Sequence, residues 1–172
     1  ASEMFAIGDE RIEKLGSYTV TFVIADFNYD LLADDSGNTA GMTIIMKDAS
    51  MFGRSSSSVA HSGVDWLSTK LYTEMTNIYD SLFPQELKAV IKSVKKKYRQ
   101  ENTSSALLES NENVWLLSLG EIGAIENDNG IDHLERSQDR CYAWFNTASN
   151  RICTVAWFTR TWYYNTTGRR VY

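Results

Sequence analysis

Aromatic rings interleaved with polar side chains make residues 141–172 the strongest candidate for chemistry in this sequence. Trp, Tyr and Phe alternate there with Asn, Thr, Ser and Arg, whereas core strands usually set large rings beside aliphatic residues. Rings offer rigid contact area, and amides, hydroxyls and guanidinium groups offer adaptable hydrogen bonds, as in antibody loops. The pattern therefore predicts a recognition surface.

Six residues of this segment are the candidate ligand contacts, because rings can stack on sugars while neighbouring polar groups bond the sugar hydroxyls. They are Trp157, Arg160, Trp162, Tyr163, Tyr164 and Asn165. For Trp144, Trp157 and Phe158, a place in the core among β-strands is an equally good interpretation. Burial against other subunits would use the same rings, so ligand binding and subunit assembly both stay open.

Catalytic residue types are present without a recognised arrangement. His61 lies in a Ser-rich loop, and the serines at 55–58 form no Gly-x-Ser-x-Gly motif. Asp34 and Glu121 would be the carboxylates of a hydrolase acting on surface glycans, but the sequence does not fix their separation. We therefore expect a protein that is not an enzyme, with the hydrolase as the weaker alternative.

An acidic segment opens with the Asp-x-Asn-x-Asp pattern of Asp26, Asn28 and Asp30, which resembles the start of a calcium loop. Leu31 stands where such a loop has its glycine, and Gly37 stands where a bidentate glutamate would complete the shell. A network of side-chain hydrogen bonds within a turn is the favoured use of these residues, with calcium as the alternative.

The cysteines and histidines give no further sign of a metal site or cofactor. Cys141 and Cys153 would be either a disulfide across a hairpin or two free thiols, and the sequence leaves both open. His61 and His133 lie far apart and show no ligand spacing. No cofactor is expected beyond the calcium alternative.

Composition restricts the classes of partner. The 172 residues suit a single domain, 1–172, and carry a formal net charge of −5 with a pI near 5.1. An acidic surplus argues against nucleic acid, and no apolar run reaches the roughly 20 residues that cross a bilayer. The one basic run, Lys95, Lys96 and Lys97 with Arg99, is predicted to lie at the solvated end of a helix.

Hydrophobic periodicity predicts strands over 17–27 and 41–47, followed by two helices. The apolar stripe of the first helix is Leu67, Leu71, Met75, Ile78 and Leu82. Pro84 suits the start of the second helix, because its missing N–H costs nothing there. The inner stripe of that helix is Leu87, Val90, Ile91, Val94 and Tyr98. Residues 113–119 are predicted to form a buried strand, 120–124 a short turn of helix, and 126–140 an exposed excursion.

Seven segments spread over nearly the whole chain carry a resemblance to a known family. They are 7–10, 24–30, 42–48, 65–72, 81–97, 113–122 and 157–161. The chain resembles a domain of unknown function, family 6273, found in Firmicutes surface proteins and in phage and prophage virion proteins. Its hallmark is Trp-Leu-Arg-Ser-Pro. Trp157 begins the matching segment, where Phe158 replaces the leucine and no proline follows Thr161.

The resemblance implies an α+β, C-type-lectin-like fold, in which two helices pack on antiparallel β-sheets and an aromatic-rich β region follows. It implies a non-catalytic module of a virion or bacterial surface protein, standing alone or as part of a larger polypeptide. A tail fibre, head fibre or capsid decoration that binds a host glycan or protein receptor would fit, and so would a purely structural virion subunit. The expected partners are that receptor, other virion subunits and further copies of the chain in a homo-oligomer.

Overall fold

The computed structural model describes residues 4–47, 66–99, 107–123 and 140–151. Over these residues the protein is α+β, with two antiparallel sheets and two helices. The first sheet has three strands in the order β1-β2-β3, namely β1 (Glu10–Leu15), β2 (Tyr18–Phe27) and β3 (Met42–Met46). The predicted strands over 17–27 and 41–47 are thereby confirmed.

Strand β1 was not predicted, because it lies at the edge of the sheet and its sequence is mostly charged. Leu15 is its one buried residue, and Ile12 is exposed. Central strand β2 reads very differently, with an unbroken buried run from Phe22 to Asp26. The pairing of β2 with β3 shifts register between Ile24 and Asp26, as at a β-bulge.

The first helix follows the prediction closely. A 3₁₀ turn at Trp66–Ser68 leads into α1 (Lys70–Leu82), and the hydroxyl of Thr69 caps it by accepting a bond from the N–H of Tyr72 at 3.0 Å. The end of α1 packs on the first sheet. Leu82, Phe83 and Leu87 contact a core formed by Leu15, Val20 and Phe22.

The second helix is much shorter than predicted, since α2 (Gln85–Val90) ends where the sequence indicated a continuing stripe. Val90 is exposed, and Val94 and Tyr98 belong to a strand, β4 (Val94–Arg99). Val94 and Tyr98 are four residues apart, which suits one helix face and one strand face equally. The lysine run is therefore in a strand and not at a helix end, so that prediction was wrong.

Strand β4 pairs with β5 (Leu107–Glu112) in an antiparallel hairpin. The predicted strand over 113–119 was wrong, because β5 ends at Glu112 and residues 113–118 form no strand. The apolar run still reaches the core through Leu119. A bridge between Leu32 and Val94 connects the hairpin to the loop after β2.

The described C-terminal residues form two 3₁₀ turns, Ala143–Asn146 and Ala148–Arg151, instead of the expected β region. Tyr142 and Phe145 are almost completely buried and pack with Ala25, Leu119 and Ile122. This second core joins the C-terminal segment to the end of β2.

Candidate functional site

The most heavily charged part of the interior is a cluster of Lys96, Asp30, Glu121 and Tyr142, here called the buried charge cluster. The side chains of Lys96, Asp30 and Glu121 are only 5%, 2% and 0% exposed. Nζ of Lys96 lies 2.8 Å from Oε1 of Glu121 and 2.8 Å from the Tyr142 hydroxyl, and it directly contacts Oδ1 of Asp30. Four elements of the fold therefore meet at one ammonium group.

The carboxylate of Asp30 is bonded on both oxygens. The Thr43 hydroxyl donates to Oδ2, and the Tyr142 hydroxyl lies 3.0 Å from Oδ1 and 3.2 Å from Oδ2. The same Tyr142 oxygen is 3.1 Å from Oε1 of Glu121. Tyr142 thus bridges the two carboxylates that share Lys96.

Glu121 is held by a reciprocal pair of bonds with Ser118. The N–H of Ser118 donates to Oε2 of Glu121 at 2.8 Å, and the N–H of Glu121 donates to the Ser118 hydroxyl at 3.0 Å. This is the capping-box arrangement of a Ser-x-x-Glu sequence, used here to fix a single turn. The short turn of helix predicted over 120–124 is a hydrogen-bonded turn in its described residues, and this turn sets the direction of the glutamate.

Aromatic rings surround the cluster. Nζ of Lys96 lies 4.2 Å from the centroid of the Trp115 ring, and the rings of Tyr29 and Tyr142 form a T-shaped pair with 5.1 Å between centroids. Such rings attract a cation while they exclude water. One lysine facing two carboxylates in this setting is costly to bury unless every hydrogen bond is made, so the cluster depends on its exact geometry.

Residues 140–151 are bonded to the rest of the fold at both ends. The N–H of Ala143 donates to Oδ2 of Asp26 at 3.0 Å, and the Arg140 guanidinium pairs with the same carboxylate at 2.9 Å. At the other end, Nη1 of Arg151 donates to the carbonyl of Gly123 at 2.9 Å. Residues 140–151 are therefore held against the rest of the fold, and they are here called the docked segment.

Cys141 is a free thiol in this docked segment, so it does not form the disulfide that the sequence left open. Burial raises the pKa of Cys141, although the positive charges of Arg151 and Arg140 act in the opposite direction. A protonated thiol is a weak nucleophile, which indicates a packing role. Cys153 lies outside the described residues.

The calcium alternative does not fit the observed bonds. Asp26 pairs with Arg140, and Asp30 pairs with Lys96, so cations of the protein already occupy both carboxylates. Within the described ranges, no three His, Cys, Asp or Glu side chains lie together as a metal site. The expected turn network is present further along, where Asp34 accepts a bond from the N–H of Ser36 at 3.0 Å.

The carboxylate pair considered for a hydrolase has two unlike environments. Asp34 is exposed, and hydrogen bonds from Ser36 lower its pKa. Glu121 is fully buried beside Lys96. His61, His133 and the serines at 55–58 lie outside the described residues.

The six candidate contact residues, Trp157, Arg160, Trp162, Tyr163, Tyr164 and Asn165, also lie outside the described residues, as do Phe158 and Tyr172. Trp144 is described and is half-buried, with its ring packed on Phe145 at 4.9 Å between centroids. The first part of the aromatic segment therefore contributes to the interior.

Sequence reasoning missed the buried charge cluster, although two signals for it were present. Val94, Lys96 and Tyr98 alternate with exposed or half-exposed lysines, which is the period of a strand with one face inside. Ser118 and Glu121 have capping-box spacing. The partners Asp30 and Tyr142 are too distant in sequence for any local pattern to join them to Lys96.

Comparison with known proteins identifies the chain by family. The model of the family described as Domain of unknown function (DUF6273) matches residues 40–172, and the chain belongs to this family. No curated protein and no solved structure matches it. Among the helices that the structure describes, none has the length and apolar character needed to cross a membrane.

Proposed function

We propose that this member of the family is a non-catalytic binding module of a phage virion or bacterial surface protein, with a C-type-lectin-like arrangement. Its ligand would be a host glycan or protein receptor. The contact residues would be Trp157, Arg160, Trp162, Tyr163, Tyr164 and Asn165, which mix rings with a guanidinium and an amide.

The observation that carries this proposal is the docking of residues 140–151. Asp26 holds the start of this segment, and Gly123 holds Arg151 at its end. The candidate contact residues therefore follow a segment, residues 140–151, that is held in place. A fixed base reduces the conformational entropy that a binding segment loses when it meets its ligand.

The bonding of the buried carboxylates supports a role without catalysis. Asp30 and Glu121 each bond Lys96 and Tyr142, and their side chains are almost completely shielded from solvent. A general acid or nucleophile must reach its substrate within hydrogen-bond distance. These two carboxylates face inward and share the same two partners, Lys96 and Tyr142.

A glycan array of bacterial wall and capsule sugars, probed with the full chain, tests the proposal. Trp162→Ala and Arg160→Ala should each lower the bound signal by at least tenfold, since each removes a stacking ring or a charged donor. Tyr18→Ala is the matched control, because it removes an exposed ring from β2, outside the candidate segment. The control should bind as the unchanged protein does.

Particle assembly must be followed in parallel, by incorporation of each variant into virions or the cell surface. Lost glycan signal with normal incorporation supports receptor binding. Lost incorporation would instead identify the same residues as an assembly interface. The proposal is contradicted if the unchanged protein binds no glycan and no host cell, both as a purified chain and on the particle or cell surface.

A further inference from the structure

We propose that Lys96 and Asp30 become joined by an isopeptide bond, which the folded protein forms by itself. The amine and the carboxyl group are already in direct contact. Both side chains are almost completely buried, and Glu121 lies against the same nitrogen. This inference goes beyond the proposed function, because it concerns the chain alone and holds for any partner.

The contacts of the reacting groups assign a role to each of them. Lys96 supplies the nucleophile and Asp30 the carbonyl carbon. The Thr43 hydroxyl donates to Oδ2 of Asp30, where negative charge develops when Nζ attacks Cγ. The fixed fold replaces a bimolecular encounter by contact, and such proximity is worth many orders of magnitude in rate.

Glu121 and Tyr142 provide a path for protons. Oε1 of Glu121 is 2.8 Å from Nζ of Lys96, close enough to accept a proton directly. The Tyr142 hydroxyl is 3.1 Å from that same oxygen and 3.0 Å from Oδ1 of Asp30. A proton can therefore move from nitrogen to Glu121, and through the phenol to Oδ1.

The reaction balances without any added reagent. The ammonium of Lys96 passes one proton along this path to Oδ1 of Asp30, which leaves a neutral amine and a neutral acid. The amine forms the Nζ–Cγ bond, and its second proton follows the same path. The Cγ–Oδ1 bond then breaks, and Oδ1 departs with both protons as water. Glu121 and Tyr142 end in their starting protonation states.

Burial is what separates this pair from an ordinary salt bridge. In an interior shielded from water, an ion pair is favoured over a neutral amine and acid less strongly than it is in solution. The neighbouring pair of Lys95 and Asp35 provides the contrast. Its atoms are 2.5 Å apart, but the Asp35 side chain is 80% exposed, so water competes for both groups.

The bond would covalently join two parts of the chain that noncovalent contacts, such as the Leu32–Val94 bridge, already hold together. Asp30 follows β2 of the first sheet, and Lys96 lies in the β4–β5 hairpin, with a sequence separation of 66. A cross-link that closes so long a loop restricts the unfolded chain, as a disulfide does, and thiol reagents cannot cleave it.

Intact-mass spectrometry of the purified full chain tests the proposal. The mass should be lower than the sequence mass by one water, and a protease digest should yield a branched peptide that joins Asp30 to Lys96. A folded sample with the full sequence mass overturns the proposal. So does a lost water that tandem spectra place at any other residue.

Three variants connect the lost water to the mechanism. Lys96→Arg keeps a buried cation without an amine nucleophile and should show the full sequence mass. Glu121→Gln cannot accept the proton, and its lighter fraction should form at least tenfold more slowly. Lys97→Met, a change to the next residue of β4, should still lose its water completely. A Glu121→Gln protein that condenses at the normal rate removes Glu121 from the mechanism, and the unchanged protein decides the bond itself.

Discussion

Lys95 and Lys96 are adjacent in β4, yet they lie in opposite environments. Lys95 extends to the protein surface, where hydrogen bonds with Asp35 and Glu109 raise its pKa. Lys96 points inward to Asp30 and Glu121. Each lysine meets two carboxylates, and the main difference between the two sites is the access of water.

The comparison shows that burial, and not the number of ion pairs, decides what a charged residue does in this fold. Water screens the outer lysine and can replace either partner at little cost. The inner lysine pairs with both Asp30 and Glu121, so removing it takes a cation away from two buried carboxylates.

Replacing the inner lysine should have the largest effect. Lys96→Met leaves two buried carboxylates without their cation, which typically costs about 3–5 kcal/mol of unfolding free energy. Lys95→Met is the matched change on the outer face and should leave the unfolding midpoint unchanged. Urea denaturation followed by circular dichroism measures both. Equal losses for the two variants would contradict the assigned difference.

Two glycines with positive φ extend the same contrast from charge to packing. At Gly123, with φ +64°, a Cβ would lie 2.6 Å from Sγ of Cys141, whereas at Gly37, with φ +74°, it would meet open space. Gly37→Ala should cost about 1 kcal/mol for the backbone alone. Gly123→Ala adds overpacking, for a total of about 2–4 kcal/mol. The thermal midpoints of the two variants provide the measurement. Similar shifts would show that residues 140–151 move to accommodate the added methyl group at little cost.

The Tyr142 hydroxyl should contribute less to the unfolding free energy than Lys96 does, but by a measurable amount. Tyr142→Phe keeps the buried ring and removes the group between Asp30 and Glu121, at an expected cost of about 1–3 kcal/mol. Tyr79→Phe is the control, because the known contacts of Tyr79 involve its ring, and it should stay within about 0.5 kcal/mol. Chemical denaturation of both proteins checks the prediction. A Tyr142→Phe protein as stable as the control would show that the hydroxyl does not stabilise the buried charge cluster.

The smallest effect concerns reactivity. Because burial raises the pKa of Cys141, a smaller fraction of the thiol is ionised at any given pH than in the unfolded chain. Alkylation by iodoacetamide should therefore be slower in the native protein, and its pH profile should shift upward. Peptide mass spectrometry reads Cys141 separately from Cys153, with the denatured protein as reference. Equal rates in both states would contradict the docking of this segment.

The sequence was most informative where local pattern and final environment agree. The alternation in β2 and the apolar stripe of α1 both predicted their elements, because the side chains concerned face a core as their polarity suggests. Membership in the family also followed from segment order. Edge strand β1 was missed because its residues are mostly exposed, so no apolar alternation forms.

The candidate site was harder to predict because it violates the usual link between charge and exposure. Lys96 interrupts the apolar face of β4, which made Val94 and Tyr98 appear to continue a helix. Asp30 was interpreted as part of a calcium loop because the cation that it contacts, Lys96, lies 66 residues away and is invisible in the local pattern. A buried ion pair is defined by tertiary contacts, and no local spacing encodes it.

Acylation of native lysines tests the central contrast most directly. A brief reaction with an N-hydroxysuccinimide ester, followed by digestion and tandem mass spectrometry, reports Lys95, Lys96 and Lys97 separately. Lys95 and Lys97 should be labelled in the native protein, and Lys96 should not be labelled. Labelling of Lys96 at the rate of its neighbours would place it in solvent and contradict the buried charge cluster.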